Sequence, residues 1–261
     1  MPYAAVNGQR LYYRDSGGDG PPVILAHGFL MDQMMFDPQV EALSEDHRVI
    51  TWDERGHGQT EFDSESFTYW DSARDLLALM DHLEIERAIV GGMSQGGFLS
   101  LRAALLAPER VRALILLDTS ATTEEPEKLE QYRQMADMWI NVGPVDELAN
   151  AVAEIIIAHP EENQRWIAKW QARPKELLRE PTACLFERDD LTDRLAEITC
   201  PAIVVHGTDD TSISMADAEL LADGLPGAGP VVKVPGAHAA NLTHPEAVNE
   251  ALRSFLVSLP P

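Results

Sequence analysis

The stretch Gly91-Gly92-Met93-Ser94-Gln95-Gly96-Gly97 joins an apolar run on its N-terminal side to an amphipathic run on its C-terminal side. Ser94 stands between two glycines, Gly92 and Gly96, each two residues away. A serine in that setting sits on a strand-to-helix turn too tight for neighbours that carry side chains, and the turn pushes its hydroxyl into a cleft. The same placement puts Ser94 at a helix N-terminus, where unpaired N–H groups and the helix dipole favour developing negative charge. Such a site suits acyl chemistry. Glycine and serine are common, however, so the pattern alone also describes a turn without chemistry, and the rest of the chain has to support it.

Outward from this turn, strands alternate with helices. Arg87 to Gly91 reads as the strand leading into Ser94, Gln95 to Ala107 as a helix stopped by Pro108, and Val111 to Leu117 as a buried strand. Upstream, Phe67 to Leu83 carries Trp70, Ala73, Leu76, Leu77, Met80 and Leu83 at amphipathic-helix spacing. Arg48 to Trp52 is a strand that ends in the charged, glycine-rich loop from Asp53 to Gly58. Asp32 to Ser44 has helical spacing that Pro38 delays or splits. Val23 to Ala26 is a short apolar run, as expected of a strand covered on both faces. At the start, Tyr3 to Asp15 mixes β-formers around Asn7-Gly8, a hairpin signal, and predicts two antiparallel edge strands.

After Asp118 the rhythm changes. Residues 122–199 contain no convincing strand and read as several helices, clearest at Leu129 to Ile140, Val145 to Ala158 and Glu161 to Trp170. Alternation resumes with Ala202 to Val205, Ser214 to Ala222, Val231 to Val234 and a last helix from Pro245 to Val257. The expectation is one α/β core, residues 1–121 and 200–261, with a mostly parallel eight-stranded sheet flanked by helices and interrupted by a helical cap at 122–199.

Composition narrows the function. Forty-three acidic against twenty basic residues give a formal charge of −23, which argues against nucleic acid or an anionic membrane surface as a partner. Cys184 and Cys200 have neither the number for a disulfide scaffold nor metal-ligand spacing, so both read as small, buried hydrophobes. Met1 to Arg10 lacks a basic segment followed by an apolar core, and no later run approaches spanning length, so the cytoplasm is the expected compartment. Nothing in the sequence sets the oligomeric state.

A serine hydroxyl is a poor nucleophile at neutral pH and needs a base, usually histidine, itself held by an acid. The chain offers the order serine, acid, histidine. His206-Gly207-Thr208-Asp209-Asp210 follows one buried strand, and Pro235-Gly236-Ala237-His238 follows the last. Active sites of open α/β sheets gather at such strand ends.

With these residues in view, the chain resembles an α/β-hydrolase fold serine hydrolase over nearly its whole length, least in the cap. The matching motifs are His27-Gly28-Phe29, Asp53-x-Arg55-Gly56-His57-Gly58, Gly92-x-Ser94-x-Gly96, Gly207-x-x-Asp210 and Gly236-Ala237-His238. The resemblance implies Ser94 as nucleophile, Asp210 rather than Asp209 as acid, and His238 as base. Some relatives carry the acid one strand earlier, which would make it Asp118. The oxyanion donors implied are the backbone N–H groups of Gln95 and Phe29, with Leu30 as fallback for the second. His206 reads as a satisfied strand-end histidine, His244 as the entrance to the last helix, and His57 receives no chemical role.

Ser94 sets the chain apart from haloalkane dehalogenases and epoxide hydrolases, which place aspartate there. The overall pattern is similar to carboxylesterases and 3-oxoadipate enol-lactonase-like enzymes. It implies cleavage of a small-molecule ester or lactone through an acyl-serine, without metal or organic cofactor. Leu30, Met135, Met138, Trp139, Trp166 and Trp170 are candidate substrate contacts, since ligand pockets favour apolar and aromatic surface. Arg133, Arg165 and Arg173 keep a C–C hydrolase of a vinylogous diketone open, and a perhydrolase or acyltransferase would share the acyl-enzyme. A non-catalytic binding module fits less well with an intact serine, acid and histidine.

Overall fold

The structure is a computed structural model that describes residues 3–260; positions 1, 2 and 261 of the expected core segments lie outside the described residues. Its frame is an eight-stranded sheet in the order β1-β2-β4-β3-β5-β6-β7-β8. The strands are β1 (Tyr3–Val6), β2 (Gln9–Asp15), β3 (Pro22–Ala26), β4 (Arg48–Trp52), β5 (Ala88–Met93), β6 (Val111–Leu117), β7 (Ala202–Gly207) and β8 (Val232–Val234). β1 and β2 pair antiparallel, and β2 joins β4 antiparallel. Every later pairing is parallel.

Asn7 and Gly8 take φ of 48° and 77°, the left-handed pair that a two-residue hairpin turn demands. β1 is the true edge, while β2 is covered on its other side by β4. The central strands β5 and β7 are buried at every residue, which is why they read as continuous apolar runs rather than alternating ones.

Helices cover both faces. They are α1 (Asp37–Leu43), α2 (Tyr69–His82), α3 (Gln95–Leu106), α4 (Pro126–Asn141), α5 (Asp146–Ile156), α6 (Pro160–Gln171), α7 (Arg179–Phe186), α8 (Met215–Gly224), α9 (Ala240–Thr243) and α10 (Pro245–Ser258). A short 3-10 turn, Gln33–Phe36, precedes α1, and Pro38 sits in the first turn of α1, so the proline splits the segment where no donor is needed. Thr68 and Asp71 form a reciprocal capping box that starts α2. Two hydrophobic clusters lie on opposite faces of the sheet, one packed mainly under α2 and α3, the other under α1, α10 and α4 to α6.

Residues 122–199 leave the sheet after β6, carry α4 to α7, and contain no strand among the described residues. Spacing in the sequence does not reveal α7 or the short α9, since eight and four residues are too few to establish a helical period. Cys184 is buried as expected, but Cys200 is only half-buried. No helix among the described residues is long and apolar enough to cross a membrane.

Candidate active site

Ser94 occupies the turn between β5 and α3 with φ 52° and ψ −114°, a conformation that side-chain-bearing residues rarely adopt. Its surroundings hold it there. The Ser94 N–H donates to Leu117 O at 2.9 Å, and its carbonyl accepts from the Gly97 N–H at 2.8 Å and from Thr119 Oγ1 at 2.8 Å. Neither Gly92 nor Gly96 has positive φ; what they supply is space. A Cβ on Gly92 would lie 2.1 Å from Ala26 O, and one on Gly96 only 1.9 Å from the same oxygen. The tip of the turn is therefore pressed against the end of β3, which leaves no room for a methyl group on either side.

Asp210 follows β7 and His238 follows β8. Asp210 Oδ2 accepts from His238 Nδ1 at 2.8 Å, while Oδ1 accepts the N–H groups of Ser212 at 2.7 Å and Ile213 at 3.0 Å. Burial by itself would raise the Asp210 carboxyl, but the charge and hydrogen bond of His238 and the Ile213 N–H outweigh it and hold the group below its ordinary range. With Nδ1–H committed to the carboxylate, Nε2 of His238 is free to act as acceptor. Among the described residues the Ser94 hydroxyl makes no hydrogen bond, and Ser94 and His238 line one cavity.

Asp118, at the end of β6, is also close. Its Oδ1 accepts the Gly207 N–H at 2.7 Å and lies 3.8 Å from His206 Nδ1. Burial first, then the charge of Asp210, push the Asp118 carboxyl well above the usual range. His206 differs from the expectation of a satisfied side chain: Nε2 bonds Ile213 O at 3.1 Å, but Nδ1 has no hydrogen-bond partner among the described residues. His244 does stand at the entrance to α10.

On the opposite rim, the loop after β3 makes a turn closed by the Met31 N–H donating to Gly28 O at 3.0 Å, with Leu30 at φ 65°. The Leu30 N–H donates to His57 Nε2 at 3.3 Å, so the fallback oxyanion donor is already in use. Among the described residues neither the Phe29 nor the Gln95 N–H donates to a protein acceptor. His57 holds its own place with Nδ1 donating to Arg55 O at 2.9 Å, and His27 pairs likewise with Gly28 O at 2.8 Å and with the Glu54 N–H at 3.0 Å. These contacts make both rings neutral acceptors at Nε2. Burial pushes His27 down to about 4 and His57 well below its ordinary value.

The cavity above Ser94 has a volume of about 110 Å³ and mostly apolar walls. Leu30, Met135 and Trp139 line it together with Phe29, Tyr132, Ile156 and Phe186. The other three residues singled out from composition do not. Met138 is 50% exposed on the outer face of α4. Trp166 and Trp170 are buried and face a neighbouring cavity that shares Leu30, Trp139 and Leu178 as its wall. Their indole N–H groups are occupied, Trp166 by Glu162 Oε2 at 3.2 Å and Trp170 by Leu30 O at 2.7 Å. Of the arginines, Arg133 lies over Phe186, Arg165 pairs with Glu162, and Arg173 donates to Gly56 O and Gly58 O at 2.6 and 2.7 Å. None of the three lines the cavity above Ser94.

A serine with positive φ between strand and helix, sharing a cavity with a histidine that is paired to a carboxylate, the latter two placed after β8 and β7 of a mostly parallel sheet, defines a molecule of the α/β-hydrolase type. The chain belongs to the alpha/beta hydrolase fold family, whose model matches residues 21–245. It is similar to the provisionally named carbamate hydrolase RutD of Azorhizobium caulinodans, at 30% identity over 263 residues and 98% of both chains. Among solved structures, a malate-bound thermophilic esterase from Thermogutta terrifontis matches with a TM-score of 0.89 at 30% identity, covering 99% of this chain and 97% of that one. The enol-lactonase from Burkholderia xenovorans LB400 gives a TM-score of 0.89 at 30% identity, covering 98% and 100%.

Proposed function

We propose that the protein hydrolyses a carboxylic ester or lactone of an apolar or aromatic small molecule through an acyl-serine intermediate. The observation that carries this reading is the 2.8 Å pair of Asp210 and His238 opening on the same apolar cavity as Ser94. In this mechanism His238 Nε2 takes the proton of the Ser94 hydroxyl as its oxygen attacks the substrate carbonyl. Asp210 fixes the histidine tautomer and stabilises the imidazolium. The Phe29 and Gln95 N–H groups receive the oxyanion, each contributing about 3 kcal/mol in the transition state. The imidazolium then protonates the departing alcohol, and water, activated by the same histidine, releases the acid. Residues 122–199 serve as the cap. Leu30, Met135 and Trp139 contact the substrate, and the apolar walls favour an aryl or medium-chain group. The similarity to an esterase and an enol-lactonase supports the choice of bond.

The experiment is stopped-flow release of nitrophenol from an aryl ester, followed by turnover of a panel of esters, lactones and a carbamate. A burst stoichiometric with enzyme is expected, and it is abolished in Ser94→Ala. Asp210→Asn should lower turnover by roughly 10³ to 10⁴-fold, whereas Asp118→Asn, which replaces a carboxyl bonded to the Gly207 N–H and not to His238, should retain most of it. A burst that survives Ser94→Ala, or a loss in Asp118→Asn with Asp210→Asn near normal, would overturn the assignment. Turnover of the carbamate alone would reject the ester reading.

A further inference from the structure

The end of α6 reaches over the rim of the cavity and grips the loop that follows β3. Trp170 Nε1 donates to Leu30 O at 2.7 Å, across 140 positions of sequence. The other side of Leu30 is held as well, by its N–H on His57 Nε2. Leu30 is the third residue of a turn closed between Gly28 and Met31, and its φ of 65° is one that glycine or asparagine normally supplies there. A leucine keeps that conformation only where its surroundings impose it. Here both of its backbone polar groups are fixed from outside the turn, one by a cap helix and one by the loop after β4.

Two neighbours of Trp170 reinforce the grip. Lys169 is ion-paired with Asp32, whose Oδ1 caps the Met34 N–H at 2.9 Å. Arg173 bonds Gly56 O and Gly58 O, the residues that flank His57. His57 itself is oriented by Arg55 O, which leaves Nε2 with a lone pair directed at the Leu30 N–H. Trp170 also packs edge-on against Trp139, with ring centroids 5.6 Å apart, and Trp139 is a wall of the cavity over Ser94.

We propose that Trp170 and His57 are positioning residues that clamp the Leu30 peptide and so hold the adjoining Phe29 N–H in place as an oxyanion donor, which makes the end of α6 part of the catalytic apparatus. The clamp deepens the function proposed above and rests on it for the role of Phe29. It concerns transition-state binding: substrate affinity depends on the cavity walls, and Trp170 is not one of those over Ser94. A donor misplaced by about 1 Å can lose on the order of 10²-fold in rate.

The test compares Trp170→Phe, which removes the indole donor and keeps an aromatic ring, with His57→Leu, which removes the acceptor, and His57→Gln, which restores one. Each is assayed for kcat and KM on an aryl ester, for inhibition by an arylboronic acid that mimics the tetrahedral adduct, and for hydrogen–deuterium exchange of the peptide spanning residues 28–35. Trp170→Phe and His57→Leu should lower kcat by roughly 10- to 100-fold with KM within about two-fold, weaken boronate inhibition by a similar factor, and speed exchange of the loop. His57→Gln should recover part of all three. A rise in KM with kcat intact would make these residues ordinary pocket walls and overturn the clamp, as would unchanged exchange with unchanged kcat. Ser94→Ala separates the two readings, because it should abolish turnover while leaving loop exchange as in the parent. If turnover survives Ser94→Ala but exchange responds to Trp170→Phe, the function fails and the mechanical clamp stands.

Discussion

Glu54 illustrates how a single residue carries a measurable penalty behind the site. Its side chain is buried, one carboxyl oxygen has no hydrogen-bond partner among the described residues, and its N–H is used to hold His27. Burial above all pushes its carboxyl up to about 8; the Ser72 hydroxyl opposes it next, the charge of Asp75 adds to it, and Arg55 opposes it least. A folded value above the ordinary 4.5 means that the folded state binds the proton more tightly than the unfolded state. Stability is therefore lost as pH rises from 4.5 towards about 8. Glu54→Gln keeps the shape and cannot ionise. Its melting temperature should match that of the parent near pH 5 and exceed it increasingly up to pH 8; a constant difference across that range would show that ionisation of Glu54 is not the cause. At this same scale, composition makes Trp166 and Trp170 candidate substrate contacts, yet both border the neighbouring cavity instead. Composition reports that a residue is apolar and large, but not which side of a wall it faces, and the indole N–H groups of both turned out to be spent on Glu162 and Leu30.

At the level of elements, the contact between the start of α3 and the end of β3 governs the geometry of the elbow. Glycine within a helix is ordinarily about 1 kcal/mol less favourable than alanine, so Gly96→Ala would stabilise an unconstrained helix. A Cβ at this position would lie 1.9 Å from the Ala26 carbonyl oxygen, which reverses that sign. Overpacking against rigid backbone costs about 3 kcal/mol, which corresponds to a fall on the order of 5–10 °C in melting temperature for a chain of this size. Thermal unfolding of Gly96→Ala decides it: an unchanged or raised midpoint would show that α3 can move away from β3. The glycines were legible as a tight turn, but the reason they are needed was not, since the obstructing oxygen belongs to a strand 70 positions earlier in the chain than Gly96.

For the whole molecule, the excess of acidic residues is the dominant long-range feature. With a formal charge of −23, mutual repulsion outweighs the attraction within scattered surface ion pairs, which contribute about 0–1 kcal/mol each. Raising ionic strength from about 0.01 to 0.15 M shortens the screening length from roughly 30 to 8 Å and relieves that repulsion more than it weakens close pairs. The melting temperature should rise over this interval, and a fall would mean that surface ion pairs such as Lys233 with Glu219 dominate instead. The strand order along the chain, the hairpin at Asn7-Gly8, the turn at Ser94 and the succession of serine, acid and histidine were all set by the sequence itself, because each depends on local burial, backbone freedom or chain order. Tertiary structure alone decided that Asp210 meets His238 while Asp118 bonds the Gly207 N–H, that Leu30 gives its N–H to His57, and that Trp170 bonds Leu30 O instead of lining the cavity over Ser94. Those outcomes depend on hydrogen-bond partners up to 140 positions apart, and such pairings are fixed only when the sheet and the helices above it pack together.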